Sequence, residues 1–241
     1  MTGANGLGPL VLAGSGEYTP AMDVVDQFLL EHAAGRDVLL IATSCAMEGE
    51  DVMTKWEQMG VAHFRRLGIA ATPVRIKDAN DANVAENAAR IAEAGLVWFS
   101  GGSPVYLAQA FHETLAWSAL ESANRRGAAV AGASGGLGVL NAHIPSADNP
   151  GPTALGLAAP VRAIAHFDRA EQRRPEFIER IVSSLLPGQM AIGVDEDTTV
   201  VWTEGAWRVM GHQRAVLFVG PERHVFRHGE VVPGLPPPER A

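Results

Sequence analysis

The chain has 241 residues, 47% of them hydrophobic and 19% charged, which is enough apolar matter for a sizeable core and too much for a disordered chain. Lys and Arg total 19 against 27 Asp and Glu, a formal net charge of −8, so no cation excess exists to displace counterions from nucleic acid or to seek an anionic membrane. No apolar run reaches the ~18 residues that span a bilayer, Met1–Gly8 carries no secretory pattern, and a lone cysteine, Cys45, excludes an internal disulfide framework; a cytoplasmic protein is expected.

Apolar runs alternate with amphipathic stretches along most of the chain. Pro9–Gly14 (PLVLAG) reads as a buried strand, followed by a helical pattern over Ala21–His32. Asp37–Thr43 is a second strand, Asp51–Leu67 a second helix and Thr72–Ile76 a weaker strand. Asp81–Ala94 is helical, with Asp81 as candidate cap and Val84, Ala88, Ile91 and Ala92 at helical spacing. Leu96–Ser100 is a strand, Val105–Arg126 holds one helix or two, and Ala128–Ala133 and Ala158–Phe167 complete six core strands. Short continuous apolar strands separated by helices predict an α/β fold with a mostly parallel central sheet covered on both faces. Five short strands between Ala191 and Phe226 predict antiparallel hairpins finishing the same domain. Residues 1–232 are expected as a single α/β domain and 233–241 as a Pro-rich tail.

In such a sheet ligands sit at the carboxyl ends of the strands. After the Ala128–Ala133 strand comes Gly132-x-Ser134-x-Gly136, the nucleophile-elbow pattern, and Leu137–Leu140 can continue as a helix. A serine nucleophile needs a base. Of eight histidines, His143 could reach back over nine residues, and His166 ends the sixth strand. An orienting acid must follow; Asp195-Glu196-Asp197 offers three carboxylates, and position alone does not choose among them. The Gly135 N–H and one from Gly101-Gly102 are candidates for an oxyanion hole. No His-x-x-x-His pair, Cys pair or EF-hand spacing is present, so neither metal nor cofactor is expected.

These features in this order resemble the serine peptidase family of dipeptidase E (aspartyl dipeptidase) and cyanophycinase. The resemblance rests on Ala13–Glu17, Phe99–Gly102, Gly132–Gly136, His166-Phe167 and Ile192–Glu196. It implies a class I glutamine amidotransferase-like fold and a cofactor-free peptidase acting on a small peptide. It also implies Ser134 as nucleophile, His166 as base, Glu196 as orienting acid and Gly102 with Gly135 as oxyanion donors. A homodimer is compatible with it. The elbow departs from the family's usual Ser-Ala-Gly by carrying Gly135, and Ser103-Pro104 replaces the residues usual after Gly-Gly. Ile164 stands where cyanophycinases carry Asp, which argues against cyanophycin as substrate. Dipeptides with N-terminal Asp would need a cation, which Arg169, Arg173 or Arg174 could supply, with Ser103 a further candidate contact. The alternatives are a small-molecule binding protein that has lost catalysis, or an esterase or amidase on non-peptide substrates.

Overall fold

The computed structural model describes residues 7–146 and 151–238. Strand β1 (Leu10–Ala13) leads through a 3-10 turn to helix α1 (Asp23–His32). Strand β2 (Val38–Ile41) leads through a second 3-10 turn, Thr43–Glu48, to α2 (Glu50–Arg66). Then follow β3 (Ala71–Pro73), α3 (Ala79–Ala82), α4 (Ala85–Glu93), β4 (Leu96–Phe99), α5 (Pro104–Phe111) and α6 (Leu115–Arg125). Strand β5 (Ala129–Ala133) runs into α7 (Gly135–Leu140), and β6 (Arg162–Ile164) into α8 (Phe167–Arg173) and α9 (Pro175–Ser183). The chain continues as β7 (Met190–Val194), β8 (Thr198–Thr203), β9 (Ala206–Gly211), β10 (Arg214–Val219) and β11 (Glu222–Arg227).

The main sheet has seven strands in the order β3-β2-β4-β5-β1-β8-β9. The first five are parallel, and β8 and β9 extend the sheet antiparallel. Strands β1, β2, β4 and β5 are buried on both faces, and their side chains alternate between two cores. Leu10, Leu12, Val97 and Phe99 face one, and Val11, Ala13, Leu96 and Trp98 face the other. The expected α/β architecture with its mostly parallel sheet is the one observed.

Four expectations need correction. The sixth strand does not join the central sheet. Only Arg162–Ile164 is extended, and it pairs parallel with β7 in a second sheet of order β11-β10-β7-β6. The apolar residues before it spend their N–H groups on the end of α7: Leu155 donates to Val139 (2.9 Å), Gly156 to Asn141 (2.9 Å) and Ala158 to Leu140 (2.7 Å). These carbonyls have no partner within the helix, and the loop satisfies them.

The helix expected over 81–94 is two helices, and its cap is Asp78, whose carboxylate accepts from Asn80 and Asp81 N–H. Helices α8 and α9 were not among the expected elements, although Phe177, Ile178, Ile181 and Val182 carry helical spacing there. Finally, the expected tail is packed up to the last described residue: Leu235 joins the core and Trp207 Nε1 donates to the Pro236 carbonyl at 2.7 Å. Residues 239–241 lie outside the described ones.

Helix α1 is tied to the sheet by a buried polar knot. Asp26 is fully buried and accepts from Trp98 Nε1 (2.7 Å) and from His63 Nε2 of α2 (2.8 Å). Burial pushes its carboxyl above the ordinary range, opposed by those hydrogen bonds. Removing the carboxylate strands two buried donors. Asp26→Ala should therefore lower unfolding stability by about 3 kcal/mol, read as a lower urea midpoint at unchanged slope.

Candidate active site

The carboxyl ends of β1, β4 and β5 lie side by side, and Ser134 stands at the end of β5. Its backbone is at φ 50°, ψ −107°, a conformation that costs about 1–3 kcal/mol for a residue with a Cβ. The flanking glycines make this turn sterically open. A Cβ on Gly136 would lie 2.8 Å from the Phe99 carbonyl oxygen of β4, and one on Gly132 would strike the Gly136 carbonyl. Ser134 N–H donates to Ala13 (3.1 Å), and its carbonyl accepts from Gly138 (3.1 Å), fixing the elbow between β1 and α7.

His166 follows β6 in the second sheet and adopts the left-handed conformation, φ 48°, ψ 40°. Its N–H donates to the Gly14 carbonyl at 3.2 Å, and its carbonyl accepts from Ala170 at 2.8 Å. The next residue, Phe167, lies flat over Gly193 of β7, where a Cβ would collide with the ring. The imidazole is thereby aimed across the gap between the sheets, and its Nε2 lies 2.9 Å from Ser134 Oγ. On the other side Nδ1 lies 2.6 Å from Glu196 Oε1. A carboxylate there holds the proton on Nδ1 and leaves the Nε2 lone pair facing the serine hydroxyl.

Glu196 lies in the β7–β8 turn. Its N–H donates to Asp168 Oδ1 (3.0 Å), and its carbonyl accepts from Thr198 Oγ1 (3.1 Å) and Gln213 Nε2 (3.0 Å). Its second oxygen takes Arg169 Nη2 at 2.6 Å. The neighbouring acids face elsewhere. Asp195 is buried against Arg214 (Nε to Oδ2, 2.9 Å), and Arg214 also holds Glu171 at 2.6 Å. Burial raises the Asp195 carboxyl above its usual range and the guanidinium opposes the rise. Asp197 has φ 51° and lends its carbonyl to His212 N–H at 2.9 Å. His143 pairs with Thr153 in an isolated bridge and makes no hydrogen bond to Ser134 among the described residues. Asp168 and Gln213, which hold the Glu196 backbone, escaped sequence reasoning because no motif marks them.

Gly102 and Gly135 flank Ser134, and neither N–H donates to a described residue. They are in close contact: a Cβ on Gly135 would lie 2.9 Å from Gly102 C and 3.2 Å from its N. Ser103 is spent as the cap of α5, its hydroxyl accepting from Tyr106 N–H at 3.2 Å. Beside Ser134 opens a cleft of about 200 Å³ with Ile144, Ile164 and Phe177 in its walls. Arg174 also lines it, with the guanidinium 5.6 Å from the Phe177 ring centroid. Arg169 is engaged with Glu196, and Arg173 does not line the cleft.

A serine elbow at the end of a parallel sheet, hydrogen-bonded to an imidazole, is the arrangement of a serine-type hydrolase. Residues 10–210 match the model of peptidase family S51, and the chain belongs to that family, which makes it a serine-type peptidase. It is similar over 94% of its length to 96% of a crystallised peptidase from an acI-B1 actinobacterium, at 30% identity and a TM-score of 0.85. A "putative peptidase E protein" from Listeria monocytogenes EGD-e shares the fold, at 17% identity and a TM-score of 0.58, over 92% of this chain and 98% of that one. No match is found among curated proteins. Among the described residues no helix is long and apolar enough to cross a membrane.

The Gly135–Gly102 contact leaves no room for a side chain at position 135. Gly135→Ala installs the family's commoner residue, and its methyl must push the Gly101–Gly102 turn away. Overpacking of this kind costs about 1–3 kcal/mol, and fluorophosphonate labelling of the purified variant should slow at least ~tenfold.

Proposed function

We propose that the chain hydrolyses a peptide or amide bond through an acyl-enzyme on Ser134, with His166 as base and Glu196 as orienting acid. The observation that carries this reading is the unbroken series Ser134 Oγ to His166 Nε2 (2.9 Å) and His166 Nδ1 to Glu196 Oε1 (2.6 Å). As Ser134 Oγ attacks the scissile carbonyl, its proton passes to His166 Nε2. Glu196 keeps the ring in the reactive tautomer and stabilises the imidazolium. The N–H groups of Gly102 and Gly135, free of other acceptors among the described residues, receive the negative charge on the carbonyl oxygen. His166 then returns the proton to the leaving amine, and water repeats the sequence to release the acyl group.

The substrate in this reading is a short peptide with Asp at its amino end. The cleft beside Ser134 is small, and Arg174 is the arginine that reaches it, so an acidic side chain has a cation to meet there. Arg169 serves Glu196 and orients the acid instead. The expected setting is the cytoplasm.

Purified protein should release free Asp from Asp-Xaa dipeptides and leave acyl esters of comparable size poorly cleaved; the opposite preference would identify an esterase. Ser134→Ala should abolish turnover with the fold intact. His166→Asn should cost far more kcat/KM than His143→Asn, and the assignment of the base fails if the order is reversed.

Glu196→Gln should cut kcat by at least ~10²-fold, and Asp195→Asn by less than ~10-fold, because Asp195 faces Arg214 rather than the imidazole. A crippled Asp195→Asn beside a healthy Glu196→Gln, at matched folded fractions, would reassign the acid.

A further inference from the structure

We propose that Glu17 is a positioning residue that sets the Gly101–Gly102 turn so that the Gly102 N–H faces the oxyanion; this rests on the acyl-enzyme reading above. Glu17 follows β1, whereas the turn it serves follows β4, and β5 lies between those strands. The side chain therefore spans the end of β5, where Ser134 stands. Its Oε1 accepts the Gly101 N–H at 2.9 Å. A Cβ on Gly101 would sit 3.0 Å from that oxygen and 3.1 Å from Ser134 Cβ, so glycine there lets the carboxyl and the elbow close on one backbone atom.

The reason for the arrangement is a choice between two amides. Either glycine N–H of the turn could face the oxyanion, depending on how the peptides are rotated. Of the four successive N–H groups from 100 to 103, three are engaged. Ser100 donates to Ile41 (3.0 Å), Gly101 to Glu17 (2.9 Å) and Ser103 to Ser44 (2.9 Å). Gly102 alone donates to no described residue. The Gly101 carbonyl is held too, with Ser44 Oγ at 2.6 Å and Cys45 Sγ at 2.9 Å. Glu17 and this pair clamp the Gly101 residue from opposite ends, and the Gly102 φ of 140° follows. Without the carboxyl, Gly101 N–H is a second free donor and the turn is held only from its carbonyl side, by Ser44 and Cys45.

Glu17 is buried, and no Lys or Arg is paired with it among the described residues. A buried acid without a cation is costly. Burial raises its carboxyl above the ordinary range, opposed by the Gly101 hydrogen bond and more weakly by His166. Glutamine keeps an acceptor oxygen in the same shape. The adjoining Tyr18 separately anchors the loop through its hydroxyl to Ser100 Oγ at 3.1 Å, so loss of the Glu17 side chain leaves a second tie.

The test uses the full chain and a fluorophosphonate probe, with kinact and KI measured separately for wild type, Ser134→Ala, Glu17→Ala, Glu17→Gln and Glu17→Asp, each checked by thermal melting. Wild type should be labelled and Ser134→Ala should not. Glu17→Ala should lose at least ~tenfold in kinact, a share of the ~10²–10³-fold that one oxyanion donor supplies, with KI within ~threefold. Glu17→Gln should restore most of the rate, and the Gly101 amide proton should shift upfield in Glu17→Ala and Glu17→Asp but not in Glu17→Gln. If Glu17→Ala does not fold, Glu17→Asp decides: it keeps an acid but withdraws the oxygen by one methylene, and should lose kinact likewise. Wild-type kinact in the decisive variant, a loss confined to KI, or a Gln variant no better than Ala overturns the role of Glu17 while leaving the serine mechanism standing. Labelling of Ser134→Ala overturns the mechanism itself, and the proposal with it.

Discussion

Two sheets meet at Gly14, and the site exists because that residue has no side chain. Its carbonyl accepts the His166 N–H at 3.2 Å, and its own N–H donates to Thr198 at 2.9 Å. The carbonyls of Val194 and Asp195 occupy the volume a Cβ would need. The end of β1 is thus pressed directly against the β7–β8 turn and the start of α8. Ser134 ends a strand of the seven-stranded sheet, His166 follows β6 of the four-stranded one, and Glu196 lies in the β7–β8 turn that joins the two. Any side chain at position 14 would separate the sheets and break the series at its middle.

Around this junction the chain holds backbone geometry that a free peptide would avoid. Ser134, His166 and Asp197 all have positive φ, and so does Tyr18 beside the Gly-rich turn. Such residues persist only where their surroundings over-determine them. The surroundings here are the buried parallel strands, the Phe167 ring over Gly193, and the ion pairs of Asp195, Arg214, Glu171 and Arg223. Those charges hold the second sheet and the base of α8 as a unit. They also explain why adjacent acids differ: Asp195 is spent on structure inside the sheet, and Glu196, one residue on, points the other way toward the imidazole. Among the residues that line the small, largely apolar cleft, Arg174 carries the cation.

The sequence by itself determined the parallel core and the order of its chemistry. Val-, Leu- and Ala-rich runs bounded by glycine read as strands buried on two faces, and the elbow glycine at 132 is required by a contact local to one strand–turn–helix unit. Ser134, His166, Glu196, Gly102 and Gly135, named from motifs, do lie together. The tertiary structure decided what depends on contacts between distant segments. The run before His166 is as apolar as a central strand, and only the unpaired carbonyls of α7 draw it into a loop and leave β6 to the second sheet. That Asp195 pairs with Arg214, nearly twenty residues later in the chain, was invisible in the sequence, and so was the commitment of Arg169 to Glu196. Glu17 showed least of all. A single acid after a strand looks like a solvated turn residue until β4 and β5 are laid beside β1, because hydrogen-bond partners across a sheet leave no periodicity along the chain.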